Sequence, residues 1–149
     1  RLGTSFRFVE LANDVNDHMP DYVVRRVQAG LNDRELPVRG RNVLLCGLAY
    51  KADTSDARET PTRAIVAGLL SLGAHVTLAD PHVPLEQFPD GVTVVDDEPQ
   101  AVKQAAASAD AVVVLVPHGD FDLDAIVAAA PWVLDCTSAA PDSVNVERL

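Results

Sequence analysis

The sequence predicts a doubly wound α/β domain with a mostly parallel sheet, preceded by a helical arm. Three observations carry this reading. Residues 42–49 (N-V-L-L-C-G-L-A) and 111–116 (A-V-V-V-L-V) are unbroken apolar runs, as expected of strands buried on both faces. From residue 42 onward, strand-like runs alternate with short helical patterns, which implies βαβ units with right-handed crossovers. Ahead of them, Phe8, Leu11, Ala12, Val15 and Met19 repeat at helical spacing and form one apolar stripe.

The elements follow in order. Pro20 interrupts the first helical pattern. An interior proline costs about 3 kcal/mol, so a kink or a fresh start is expected, with Asp17 as a cap and Pro20 in the first turn of the second helix. Tyr22, Val23, Val27 and Leu31 continue an apolar face. Residues 32–41 hold Asn, Asp, Pro and Gly and read as a linker. The division is an arm with its linker at 1–39 and an α/β domain at 40–149. After the strand at 42–49, Thr60 caps a helix with Pro61 at its first position, and Gly73 closes it. Residues 75–79 and 92–95 read as strands, 99–107 as helix, 111–116 as the strongest buried strand. Residues 122–129 then read as helix and 132–135 as strand.

Composition bounds the function. The 149 residues include 12 Lys and Arg against 22 Asp and Glu, a net charge of −10. A phosphate backbone or an anionic membrane surface is repelled by such a chain, so neither nucleic acid nor membrane is an expected partner. The opening Arg1-Leu2-Gly3-Thr4-Ser5 is no signal peptide, and without an initiator Met the chain reads as a piece of something longer. Cys46 and Cys136 are too few for a disulfide scaffold and fit a reduced cytoplasm.

Ligands of doubly wound sheets sit beyond the carboxyl ends of the strands. The relevant loops begin at Tyr50, Asp80, Pro117 and Asp135. The first, residues 50–59, is the richest in polar groups, yet it lacks the Gly-x-Gly-x-x-Gly spacing of a dinucleotide fingerprint. Lys51 is one of two lysines, a mobile point charge suited to a phosphate or sugar oxygen, or simply an ion-pair partner of Asp53 or Asp56. Arg58 has the same ordinary alternative with Asp56 or Glu59. Cys46, mid-strand, reads as a small hydrophobe; Cys136 is more readily structural than reactive, since no cationic neighbour is apparent. The histidines at 18, 75, 82 and 118 show no pair at metal spacing, so no metal site is expected. No catalytic residue is assigned.

The stretch Gly47-Leu48-Ala49-Tyr50-Lys51-Ala52-Asp53-Thr54-Ser55-Asp56-Ala57-Arg58-Glu59-Thr60-Pro61 resembles the start of the C-terminal domain of UDP-glucose/GDP-mannose dehydrogenases. Val15-Asn16-Asp17-His18-Met19-Pro20 resembles the end of that family's central helical domain. Gly73-Ala74-His75-Val76 and Ala79-Asp80-Pro81 resemble its next strand. The likeness is greatest to the branch oxidising UDP-N-acetylmannosamine. It implies a Rossmann-like fold and a role as the substrate-binding tail of an enzyme. That enzyme oxidises the C6 alcohol of a UDP-sugar to the uronate with two NAD in succession. Neither the Gly-rich NAD fingerprint nor the family's catalytic cysteine motif occurs here, so this chain alone is expected to be inactive. By motif, Tyr50 and Lys51 contact the substrate, and Arg58 reaches NAD bound mainly by an N-terminal domain. The family's central helices pair subunits, which implies a homodimer through the arm. The family's Asp-x-Arg after the last strand is absent: the residues here are Asp135-Cys136-Thr137. The competing reading is a non-catalytic nucleotide-binding or regulatory module that kept the fold.

Overall fold

In the computed structural model the chain runs α1 (Leu2–Asn32), β1 (Asn42–Cys46), α2 (Pro61–Ser71), β2 (His75–Ala79), a 3-10 turn at Leu85–Gln87, β3 (Thr93–Val94), α3 (Pro99–Ser108), β4 (Ala111–Val114), α4 (Leu123–Ala129), β5 (Val133–Asp135) and β6 (Val146–Arg148). The structure describes residues 2–96 and 98–149, with side chains from residue 7 onward. Arg1 and the side chains of residues 2–6, where the arm and the signal-peptide reading begin, lie outside the described residues.

The strands form one parallel sheet in the order β3-β2-β1-β4-β5-β6. This is the Rossmann order, with the direction of winding reversed between β1 and β4. Alternation along the strands explains why both faces are apolar. Val43, Leu45, Val76, Leu78, Ala111 and Val113 face α1 and α2, whereas Leu44, Cys46, Val112 and Val114 face α3 and α4. Successive strand side chains point to opposite faces, so an unbroken apolar run is needed wherever helices cover both.

Local signals set the element ends. Thr60 accepts the Thr62 N–H and Pro61 occupies the first turn of α2. At the other end Gly73, at φ +88, donates to the Leu70 carbonyl while Ala74 donates to that of Leu69. These two bonds are the Schellman closure that a left-handed glycine permits. Asp122 caps α4 through the Ala125 N–H.

Two expectations differ from the structure. First, α1 runs through Pro20 as a single helix, and Asp17 lies inside it rather than capping a second one. Proline leaves the Asn16 carbonyl without its intrahelical donor, but Asn16 is solvent-exposed, so water can serve it. The helix is held together from its second half, where Val23, Val27 and Leu31 are buried in the same core as β1 and α2. Close approach there depends on glycine. A Cβ on Gly30 would lie 2.2 Å from the Trp132 ring, and one on Gly68 would lie 2.8 Å from Val24. Arg34 stacks over the Trp132 ring, its guanidinium carbon 4.6 Å from the centroid. The first half of α1 has no such partner: Phe8, Val9, Leu11 and Val15 are 52–71% exposed. Second, β6 pairs with β5 at the sheet edge, where the sequence reading has no strand. No helix of the described residues is long and apolar enough to cross a membrane.

Candidate functional site

The switch point between β1 and β4 is where a doubly wound sheet normally takes a dinucleotide. Here it is filled. Gly47 leaves β1 at φ +111, and a Cβ on it would lie 2.4 Å from the Val116 Cβ and 2.6 Å from the Val116 backbone N. The loop after β4 therefore rests directly on the loop after β1. The next two residues, Leu48 and Ala49, are fully buried. Their N–H groups, placed where a glycine-rich loop would face a pyrophosphate, both donate to Asp80 Oδ2, at 2.7 and 2.8 Å. An internal carboxylate holds the position of the external anion.

Asp80, at the carboxyl end of β2, is the hub of a wider network. Its Oδ1 accepts the His82 and Val83 N–H groups at 2.9 and 3.0 Å. His118 Nε2 lies 2.8 Å from Asp80 Oδ2, and both side chains are inaccessible to solvent. Burial alone would raise the Asp80 carboxyl, but the Ala49, His82 and Leu48 amides and His118 outweigh it and hold it below the usual carboxylate range. The other ring nitrogen, His118 Nδ1, accepts the Asp53 N–H at 2.9 Å. An accepting Nδ1 carries no proton, so His118 is the neutral tautomer that donates from Nε2 to Asp80. Asp53, at φ +58, turns its carboxylate onto the Gly119 N–H at 2.8 Å. His82 Nε2 pairs with the Asp120 carboxylate. The loops after β1, β2 and β4 are thus tied together at the ligand edge of the sheet.

Of the three residues singled out in the sequence, Tyr50 and Arg58 line one groove, and Lys51 does not. The groove, about 1020 Å³, lies between α1 and the β1–α2 loop and is bounded by Asn13, Asn16, Asp17, Tyr50, Arg58 and Glu59 among others. Two of the stretches that carry the family resemblance, around Asn16-Asp17 and around Tyr50–Pro61, therefore face each other across one cleft. Tyr50 is half-exposed, its amide held by the Asp56 carbonyl at 2.7 Å. Arg58 is paired with Asp56 through Nε and Nη2, at 3.0 and 3.1 Å, the ordinary partner the sequence allowed for. Lys51 is exposed and forms no ion pair among the described residues: Asp56 is engaged by Arg58, and Asp53 by Gly119.

Neither thiol is poised as a nucleophile. Burial pushes Cys46 up to about 12; burial and then the Asp135 charge push Cys136 up to about 12 against the opposing effect of Arg26. At the position of the family arginine, the Thr137 hydroxyl donates to Asp135 Oδ1 at 2.7 Å and so turns inward.

The family profile described as "UDP-glucose/GDP-mannose dehydrogenase family, UDP binding domain" matches residues 44–141. This chain belongs to that family. Among curated relatives, UDP-N-acetyl-D-mannosamine dehydrogenase of Methanococcus maripaludis is 30% identical over 77% of this chain, and 24% of that protein. NDP-N-acetyl-D-galactosaminuronic acid dehydrogenase of Ralstonia solanacearum is 35% identical over 78% of this chain, and 26% of that protein. The chain spans about a quarter of the length of the curated relatives it matches. Among solved structures, the NDP-N-acetyl-D-galactosaminuronic acid dehydrogenase of Methanosarcina mazei Go1 superposes with TM-score 0.69 at 31% identity, over 84% of this chain and 26% of that one. A UDP-glucose dehydrogenase of Pyrobaculum islandicum does so with TM-score 0.70 at 27% identity, over 90% of this chain and 30% of that one. The Rossmann-like architecture and membership of the UDP-binding-domain family are thereby established for this chain.

The sequence reading missed the network around Asp80. One signal was present: Asp80-Pro81 and Pro117-His118 each end a strand at the ligand edge of the sheet. Nothing local says that the two meet.

Proposed function

We propose that this chain is the UDP-sugar-binding end of an enzyme that oxidises a sugar C6 alcohol to the carboxylate, with NAD as the hydride acceptor. The observation that carries the reading is the groove between α1 and the β1–α2 loop, where two of the stretches resembling the family meet. Tyr50 supplies an aromatic face and a hydroxyl there. Lys51 adds an uncommitted cation one residue away, which a pyrophosphate needs on a chain of net charge −10. The sugar is expected to be an N-acetylated hexosamine, as the names of several relatives state for those proteins.

NAD itself does not fit this chain. The switch-point crevice is filled by Val116, and the amides that would hold a pyrophosphate are bound to Asp80. No hydride step is therefore assigned to these residues. Arg58 is the one group we place toward an NAD held elsewhere in the enzyme; its exposed guanidinium is kept in position by Asp56. The exposed apolar face of Phe8, Leu11 and Val15 is proposed as a subunit contact in a homodimer. A cytoplasmic setting suits the two free cysteines.

The test is NADH formation by the full-length protein on UDP-N-acetylmannosamine, with UDP-glucose and UDP-N-acetylgalactosamine for comparison. NADH on at least one of the three, with none from residues 1–149 alone, is the expected result. UDP binding without turnover on any of them would favour the non-catalytic module instead.

A further inference from the structure

We propose that Asp53, His82, Asp120 and His118 form a binding site for one divalent transition-metal ion, with Zn²⁺ the best match to the donor set. Asp53 Oδ1, His82 Nε2 and His118 Nδ1 all lie within 4.8 Å of one another. His82 Nε2 is 3.8 Å and His118 Nδ1 is 4.0 Å from Asp53 Oδ1, and the Asp120 carboxylate sits against His82 Nε2. Tetrahedral Zn²⁺ with bonds of about 2.0–2.2 Å sets its ligand atoms about 3.3–3.6 Å apart. The Asp53–His82 and Asp53–His118 separations need to close by about half an ångström, the two ring nitrogens, within 4.8 Å of each other, by up to about 1.5 Å, and the His82–Asp120 pair needs to open. Asp53, His82 and Asp120 are all at least partly exposed side chains on loops, so these adjustments meet little resistance.

The arrangement behind His118 distinguishes this cluster from a chance grouping of surface acids. A metal-ligating histidine generally donates its other ring N–H to a carboxylate, which fixes its tautomer and raises its basicity. His118 does so, donating to Asp80, which is itself anchored by four backbone amides. The lone pair of the buried ring is thereby held at Nδ1, on the side of Asp53 and His82. Coordination displaces the Asp53 N–H from Nδ1, a bond that is only part-buried. Two imidazole nitrogens with two carboxylates suit Zn²⁺, Co²⁺ or Ni²⁺, whereas Mg²⁺ and Ca²⁺ favour all-oxygen sets. The ion would cross-link the loops after β1, β2 and β4, and so brace the segment carrying Tyr50 and Lys51. The proposal stands independently of the dehydrogenase reading.

The experiment is calorimetric titration of the chelator-stripped 149-residue chain with ZnCl₂, paired with thermal melts with and without Zn²⁺. We expect saturation at one equivalent and a higher melting temperature with Zn²⁺. His82→Ala and Asp120→Asn should each weaken binding by about a hundredfold, the upper end of what outer-shell changes cost, and abolish the thermal shift. His18→Ala, which removes only the exposed pair with Asp14, should leave binding unchanged. The melt without Zn²⁺ shows that each variant is folded; if one is not, the other decides. Absence of saturable binding would overturn the proposal, as would full-strength binding in the folded His82 and Asp120 variants or its loss in His18→Ala.

Discussion

Replacing Asp80 by Asn removes one negative charge and one acceptor oxygen from the centre of the ligand edge, at nearly constant volume. Five donors converge on this carboxylate: the Leu48 and Ala49 amides and His118 Nε2 on Oδ2, and the His82 and Val83 amides on Oδ1. An asparagine keeps one oxygen. In its better orientation that oxygen serves Leu48, Ala49 and His118, and the NH₂ group confronts the His82 and Val83 amides. Two donors then lose their acceptor and meet another donor. Each unsatisfied buried donor costs about 1–3 kcal/mol, so the loss is about 2–6 kcal/mol. For a chain of this size about 2–4 °C accompanies each kcal/mol, so the melting temperature should fall by at least about 4 °C. The assay is thermal denaturation followed by circular dichroism, with urea melts for the free energy. Asp142→Asn is the control, because that carboxylate is 94% exposed and its pairing with Arg148 is a surface one. A change under about 2 °C in Asp80→Asn, no larger than in the control, would refute the claim that this network holds the loops in place.

Other consequences follow from the same geometry. Gly47→Ala should destabilise by about 2–4 kcal/mol in urea melts, because it adds a Cβ 2.4 Å from Val116 at a left-handed φ of +111. Cys46→Ser and Cys136→Ser in the full-length protein should leave turnover within a few-fold; Cys46→Ser should lower stability by about 1–3 kcal/mol, because it buries a hydroxyl. Burial would raise Asp135, but the Thr137 hydroxyl and the Thr137, Ala140 and Ser138 amides hold it below the usual range. Its stabilisation is complete above the unfolded carboxyl value of about 3.9 and is lost as pH falls through the lower folded value. Urea melts from neutral pH downward should therefore show an acid loss of stability that is shallower in Asp135→Asn.

The parts of the fold legible in the sequence are those whose causes are local or periodic. Thr60-Pro61 and Gly73 bound α2 through bonds that span at most five residues. The apolar runs of β1 and β4 reflect burial by helices on both faces, which no local feature obscures. Pro20 misleads because a propensity of about 3 kcal/mol is overridden by the docking of Val23, Val27 and Leu31 farther along the same helix. β6 escapes notice because its three half-exposed residues at the sheet edge carry neither alternation nor an apolar run.

The site divides the same way. Tyr50 and Arg58 stand out because a long contiguous motif contains them. Asn13, Asn16 and Asp17 complete the groove from a helix that passes over that loop, a matter of tertiary packing. The Asp80–His118 pair and the His82–Asp120 pair each join residues 38 apart in the chain. Such partners meet only because β1, β2 and β4 end side by side in this sheet order.

In the proposed function the groove between α1 and the β1–α2 loop takes the nucleotide sugar, with Lys51, next to Tyr50 in the chain, as its cation. Calorimetric titration of UDP-N-acetylmannosamine into full-length wild-type and Lys51→Ala protein tests it most directly, with melting temperatures measured alongside. Loss of a charge-assisted hydrogen bond should weaken binding by about ten- to a hundredfold, equivalent to roughly 1.5–3 kcal/mol, and leave the melting temperature unchanged. Unchanged affinity would contradict the account and return Lys51 to an ordinary exposed surface charge.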